Sequence, residues 1–94
     1  MTDKRRKAIE QGERAKQLYE NEAFRDAMAG LRAAIHERWE TAPLADRDGA
    51  HELRLMLKLS YDLEANIKRL VDDGKLAAIE IEREQKAATA RQRR

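Results

Sequence analysis

A single proline, Pro43, interrupts a helical pattern that otherwise runs through nearly all 94 residues. Proline has no amide hydrogen and disfavours the α conformation in the residue before it, so a helix must end near Thr41. Before this break, apolar residues recur at intervals of three and four and share one helix face. They are Phe24, Ala27, Met28, Leu31, Ile35 and Trp39. We therefore predict a helix over residues 22–41, with Asn21 as its N-cap.

A second long helix is predicted after the break. Asp46 and Asp48 can each cap a helix that begins between residues 46 and 49, and Gly74 is typical of the residue that follows a helix C-terminus. A heptad-like seam runs between these points, and Leu57 and Val71 widen it. Its members are Leu53, Met56, Ser60, Leu63, Ile67 and Leu70. Because the connection is short, we predict an antiparallel helical hairpin of residues 22–41 and 48–73.

The predicted fold class is all-α, with flanking N- and C-terminal helices beside the hairpin in a single domain of residues 1–94. No large apolar residue follows Glu82, so residues 83–94 are expected to form a basic helical or frayed tail. Trp39 falls on the last turn before the break. We expect its ring to close the open end of the hairpin, buried against the core.

Several function classes are disfavoured by what the sequence lacks. It has no cysteine, no glycine-rich phosphate loop and no HExxH pattern. His36 and His51 could reach similar heights in the hairpin, but a zinc site usually needs three or four ligands. A slim hairpin also offers little concavity for catalytic carboxylates. We predict no enzyme, catalytic residue, metal, cofactor or small-molecule substrate. No apolar run approaches the roughly 20 residues that cross a bilayer, so no membrane partner is expected.

Protein binding is the predicted function. Aromatic residues make up only 4% of the chain, so its core must be thin, and small scaffolds of this kind often need a partner chain. Leu55 and Leu59 fall on a different side of the helix from the seam, and Leu76, Ile79 and Ile81 crowd the start of the last segment. We predict these five residues as a protein interface in a homo-oligomer or larger assembly. The alternative is that the flanking helices cover them within one chain.

The basic termini suggest a second function. The net charge is only +2, but residues 1–20 carry six Lys or Arg against four acids, and residues 74–94 carry six against three. Basic clusters can bind phosphates and release counterions. The candidate nucleic-acid contacts are Lys4, Arg5, Arg6, Lys7, Arg91, Arg93 and Arg94. No aromatic residues are interleaved for base stacking, so nucleic-acid binding remains the alternative.

Two stretches, NEAFRDAMAGLRAAIHERWETAPLADRDGAHELRLMLKL and DDGKLAAIEIE, resemble a family of small helical proteins that tailed bacteriophages encode among their head and DNA-packaging genes. The matching elements are Asn21 with Phe24, Trp39 with Thr41 and Pro43, Asp48, and Gly74 with Lys75 and Leu76. The resemblance covers residues 12–82 or so and includes no catalytic residues. It implies a phage origin, a role in the virion or its assembly, and a location in the virion or the host cytoplasm.

Overall fold

A computed structural model describes residues 2–92, with side chains from residue 3 onward. These residues form three α-helices: α1 (Thr2–Glu20), α2 (Glu22–Thr41) and α3 (Arg47–Gln92). No strand occurs among them. The predicted all-α class is therefore confirmed, and α2 has the predicted bounds.

Both ends of α2 follow from local chemistry. Asn21 has an extended backbone, and its Oδ1 accepts a hydrogen bond from the Phe24 amide at 2.9 Å. This is the geometry of an N-cap, which satisfies an amide that has no partner within the helix. At the other end, the Ala42 amide donates to the Trp39 carbonyl at 3.3 Å, and Pro43 follows. The predicted cap and the predicted end are both confirmed.

The start of α3 is confirmed, but its predicted end is wrong. Asp46 Oδ1 accepts a hydrogen bond from the Gly49 amide at 2.9 Å, and the helix begins at Arg47. It does not stop at Asp73. Instead α3 continues to Gln92, so the predicted separate C-terminal helix is part of α3, and residues 83–92 of the predicted tail are helical. Gly74 lies inside the helix without the positive φ of a helix-ending glycine.

Contacts divide the chain into two compact units. The first joins the chain up to Gln17 with the chain from Ile67 onward, and the second is Leu18–Asn66. Helix α3 contributes residues to both. The prediction of a single domain over residues 1–94 stays a prediction.

In the first unit, α1 packs against α3 through two glycines. A Cβ atom on Gly12 would lie 2.9 Å from Gly74 Cα and 3.0 Å from the Leu70 carbonyl oxygen. A Cβ on Gly74 would lie 3.0 Å from the Ala8 carbonyl oxygen. Gly74 is therefore explained by close backbone packing rather than by a helix end. Ala15 and Ala77 are the other small buried residues of this unit.

In the second unit, the core is thin and its position on α3 differs from the prediction. Met28 and Ile35 of α2 are buried, and so is Ser60 of α3. However, Met56 is 42% exposed and Leu63 is 50% exposed, although both belong to the predicted seam. Leu53, Leu57 and Glu64 are covered more than these two residues. The face of α3 that packs on α2 is thus rotated away from Met56 and Leu63.

Candidate interaction surface

The structure leaves four of the five predicted interface residues exposed. Leu55 and Leu59 are 46% and 65% exposed in the second unit, and Leu76 and Ile79 are 56% and 46% exposed in the first. Ile81 is half-buried. Large apolar side chains with this much exposure lie outside any core that a single chain provides. Their assignment as an interface stays a prediction.

A polar cluster sets the geometry of the second unit. Arg32 of α2 donates from Nε to Ser60 Oγ and from Nη2 to the Ser60 carbonyl oxygen, both at 3.2 Å. Its Nη1 lies 3.5 Å from Glu64 Oε1, and its guanidinium lies 4.0 Å from the centre of the Tyr61 ring. Each of these contacts joins α2 to α3. Together they occupy one side of the line where the two helices meet.

Sequence reasoning missed this cluster because arginine and glutamate on a helix usually face solvent. One signal was available. Arg32 lies four residues after Met28 and three before Ile35, which places it on the predicted apolar face of α2. Ser60 was already counted in the seam. Its hydroxyl donates to the Leu57 carbonyl at 2.6 Å while accepting from Arg32, so this buried polar group is fully bonded.

The other side of the α2–α3 contact is apolar. Leu31 precedes Arg32, and one residue turns a helix by about 100°, so Leu31 projects away from the side that holds Tyr61. Met56, Leu59 and Leu63 lie on this same side of α3, because their spacing of three and four keeps them together and away from Tyr61. Leu31 is 45% exposed, comparable to the three residues on α3. We call Leu31, Met56, Leu59 and Leu63 the apolar face of the second unit.

Small residues flank Leu31 on this face. Ala27, Gly30 and Ala34 are all exposed, and their spacing places them in one row along α2. Beyond its chain neighbours and the backbone of its own helix, a Cβ atom on Gly30 would meet nothing within 4 Å. Gly30 thus differs from Gly12 and Gly74, since no contact within the chain requires a glycine there. The face combines a row of large side chains on α3 with a row of small ones on α2.

The Trp39 ring does not cover the core as predicted. Its side chain is 57% exposed, and the ring lies at the side of a cavity of about 260 Å³ instead of covering the core. The cavity is lined by Ile35, His36, Trp39, Leu53, Arg54 and Leu57. Leu44, in the connection to α3, is fully exposed and does not cover the ring. The predicted burial of Trp39 is therefore wrong.

The residues predicted to contact nucleic acid differ in their surroundings. Arg5 forms ion pairs with Glu84 at 2.6 Å and with Glu80 at 3.5 Å. The hydrogen bond and negative charge of Glu84 raise the pKa of the Arg5 guanidinium, and Glu80 adds to this, while burial acts in the opposite direction. Lys4, Arg6, Lys7 and Arg91 are exposed. Arg93 and Arg94 lie outside the described residues.

Residues 2–92 give no geometric indication of a metal centre: no group of three His, Cys, Asp or Glu among them is placed to hold a metal ion. Within the same range, no helix is long and apolar enough to cross a membrane. Comparison with known proteins adds no relative, since no family model, no curated protein and no solved structure matches this chain.

Proposed function

We propose that this chain is a non-enzymatic helical subunit that works by binding protein, either by self-association or by docking on a larger assembly in a phage virion or its assembly machinery. The observation that carries the proposal is the surface that one chain leaves exposed. Leu55, Leu59, Leu76 and Ile79 are 46%, 65%, 56% and 46% exposed.

Little of the apolar surface of this chain is covered by its own core. Among the residues that the structure describes, no large side chain is completely inaccessible to solvent. The apolar residues that are largely buried there are Ala15, Met28, Ile35, Ile67 and Ala77. A partner that covers the exposed leucines therefore supplies apolar burial that a single chain lacks.

The hairpin of residues 22–41 and 48–73 is part of this proposal. It is supported by the order of contacts between α2 and α3. Arg32 contacts Ser60, whereas Trp39, seven residues later on α2, shares a cavity with Leu53, seven residues earlier on α3. When contacts nearer the C-terminus of one helix involve residues nearer the N-terminus of the other, the two helices run antiparallel. The phage origin is supported by the resemblance of residues 12–82 alone.

Light scattering on purified protein tests the proposal, with the mass measured over a hundredfold range of concentration. We expect a mass above 10.9 kDa that rises with concentration. Mass spectrometry of purified particles of the encoding phage tests the docking form of the proposal. A chain that stays monomeric at every concentration and is absent from the particles would contradict both forms.

The alternative function is accessory nucleic-acid binding during DNA packaging. It is supported by the exposure of Lys4, Arg6 and Lys7 on one short segment of α1. Binding through these charges depends steeply on salt, because each neutralised phosphate releases counterions. Retention of duplex DNA between 50 and 200 mM salt measures this, with Lys4→Glu combined with Arg6→Glu as the variant. Weak retention that the variant leaves unchanged would remove the alternative.

A further inference from the structure

We infer that the cavity beside Trp39 is a binding site for a small carboxylate with an apolar body, of the class of the medium-chain fatty acids. The cavity lies wholly within the second unit and is lined by residues of α2 and of the first part of α3. The inference goes beyond the proposed function, because it depends neither on self-association nor on a protein partner.

The first argument is the size and lining of the cavity. Its volume is about 260 Å³, and its apolar walls are Ile35 and Trp39 of α2 with Leu53 and Leu57 of α3. An apolar cavity of about 150 Å³ is large enough to bind benzene. Sites for larger ligands start at about 300 Å³ and combine apolar walls with a few polar groups. This cavity therefore suits a ligand with a short apolar chain or a single ring.

The second argument is the polar side of the cavity. Its two polar lining residues are His36 of α2 and Arg54 of α3, and none of the described residues that line it is acidic. Arginine keeps its positive charge in proteins, and a histidine ring can donate a hydrogen bond from one nitrogen. A planar guanidinium binds a carboxylate through two parallel hydrogen bonds. The lining thus matches an anionic group next to an apolar body.

His36 and Arg54 lie on the same side of the contact between α2 and α3. His36 follows Arg32 by about one turn, so these two residues share a side of α2. Arg54 precedes Tyr61 by about two turns, so these two share a side of α3. The Arg32 guanidinium lies 4.0 Å from the centre of the Tyr61 ring, so the two sides meet. One carboxylate can therefore reach both His36 and Arg54.

Arg54 is available to a ligand because it has no acidic partner among residues 2–92. Arg32 differs, since it bonds to Ser60 and pairs with Glu64. An arginine that is already paired would have to give up that contact to bind a ligand carboxylate. Arg54 gives up only water.

The third argument is the exposure of Trp39. Its side chain is 57% exposed although it borders the cavity. An apolar chain bound against the ring removes apolar surface of both from water. Trp39 is also the one tryptophan of the chain, so its fluorescence reports directly on the cavity.

Titration of the full chain with octanoate at neutral pH, followed by Trp39 fluorescence, tests the inference. We expect a saturable change in emission. Octanol has the same chain without the carboxylate and is the matched ligand. It should bind about tenfold more weakly, because it lacks the charge-assisted hydrogen bonds to Arg54.

Chain length distinguishes the cavity from adsorption to exposed leucines. Adsorption would tighten by about fourfold for each added CH₂ group. A bound chain that extends past the cavity gains much less. We therefore expect dodecanoate to bind no more than about fourfold more tightly than octanoate.

Two matched variants test the role of Arg54. Arg54→Gln removes the charge and keeps a polar side chain, so we expect it to weaken octanoate binding about tenfold and to leave octanol binding unchanged. Arg25→Gln is the control, since Arg25 is an exposed arginine of the second unit outside the cavity. It should change neither affinity. Circular dichroism checks that both variants keep their helix content.

The inference is wrong if octanoate gives no saturable change, if octanol binds as tightly as octanoate, or if the two arginine variants lose octanoate binding equally. Affinity that keeps rising fourfold for each CH₂ group up to dodecanoate would also overturn it. Light scattering on the same samples keeps this result separate from the proposed function, because an oligomer that does not bind octanoate would contradict only the inference.

Discussion

Gly12 and Gly30 occupy the interior of a helix in opposite surroundings, so the same substitution should have opposite effects on them. For Gly12→Ala we expect the free energy of unfolding to fall by about 1–3 kcal/mol, because the new Cβ would lie 2.9 Å from Gly74 Cα and force the helices apart. For Gly30→Ala we expect a rise of about 0.5–1 kcal/mol, since only helix propensity changes. Urea unfolding at concentrations that keep the chain monomeric measures both. Stabilisation by Gly12→Ala would contradict the glycine contact.

Arg32 is the other residue whose role depends on its surroundings. Arg32→Met keeps the length of the side chain but removes its hydrogen bonds to Ser60 and its contact with Glu64. We expect a loss of about 1–2 kcal/mol in the free energy of unfolding, limited because the Ser60 hydroxyl still donates to Leu57. Arg25→Met, at an exposed position of the same helix, is the control and should change stability by less than about 0.5 kcal/mol. Equal effects of the two substitutions would show that the Arg32 contacts add no stability.

At the scale of the helices, the start of α2 can be tested through its N-cap. Asn21→Ala removes the acceptor for the Phe24 amide, so we expect the free energy of unfolding to fall by about 1 kcal/mol. Asn21→Ser keeps an oxygen acceptor at this position and should retain most of the stability. Thermal unfolding followed by circular dichroism compares the two. If Asn21→Ala and Asn21→Ser were equally stable, the side-chain hydrogen bond would not matter.

Helix ends were predictable where a local signal decides them. Asn21, Pro43 and Asp46 act on neighbours within four residues, so the sequence contains the whole explanation for the bounds of α2 and the start of α3. Gly74 is different. A glycine after a helix and a glycine at a close helix crossing look the same in one sequence, and only contact with Gly12 distinguishes them. The predicted end of α3 at Asp73 failed for this reason.

The surface could be predicted only in part, because α3 carries apolar residues around much of its circumference. Leu55 and Leu59 are exposed, as expected of residues predicted to form an interface. The exposure of Met56 and Leu63 was not predicted, because Arg32 and Ser60 join α2 to α3 through a partly polar face of α3. A pattern of apolar positions alone does not predict a charged residue in the contact between two helices.

At the scale of the whole molecule, self-association should appear as a dependence of melting temperature on protein concentration. Association stabilises the folded state by mass action, so a dimer melts at a higher temperature as its concentration rises. With an unfolding enthalpy of about 65 kcal/mol for each chain, a hundredfold increase in concentration should raise the melting temperature by about 5–10 °C. Differential scanning calorimetry across this range measures the shift.

Leu59→Glu supplies the control for that experiment. If Leu59 belongs to the interface, the variant should melt at one temperature at every concentration, because its folded state is monomeric. The unsubstituted chain at its lowest concentration should melt near that same temperature, since Leu59 is 65% exposed and contributes little to the core of one chain. A rise of equal size in both proteins would show that the chains associate through a surface without Leu59. A constant melting temperature in the unsubstituted chain would show that its exposed leucines do not bind a second copy.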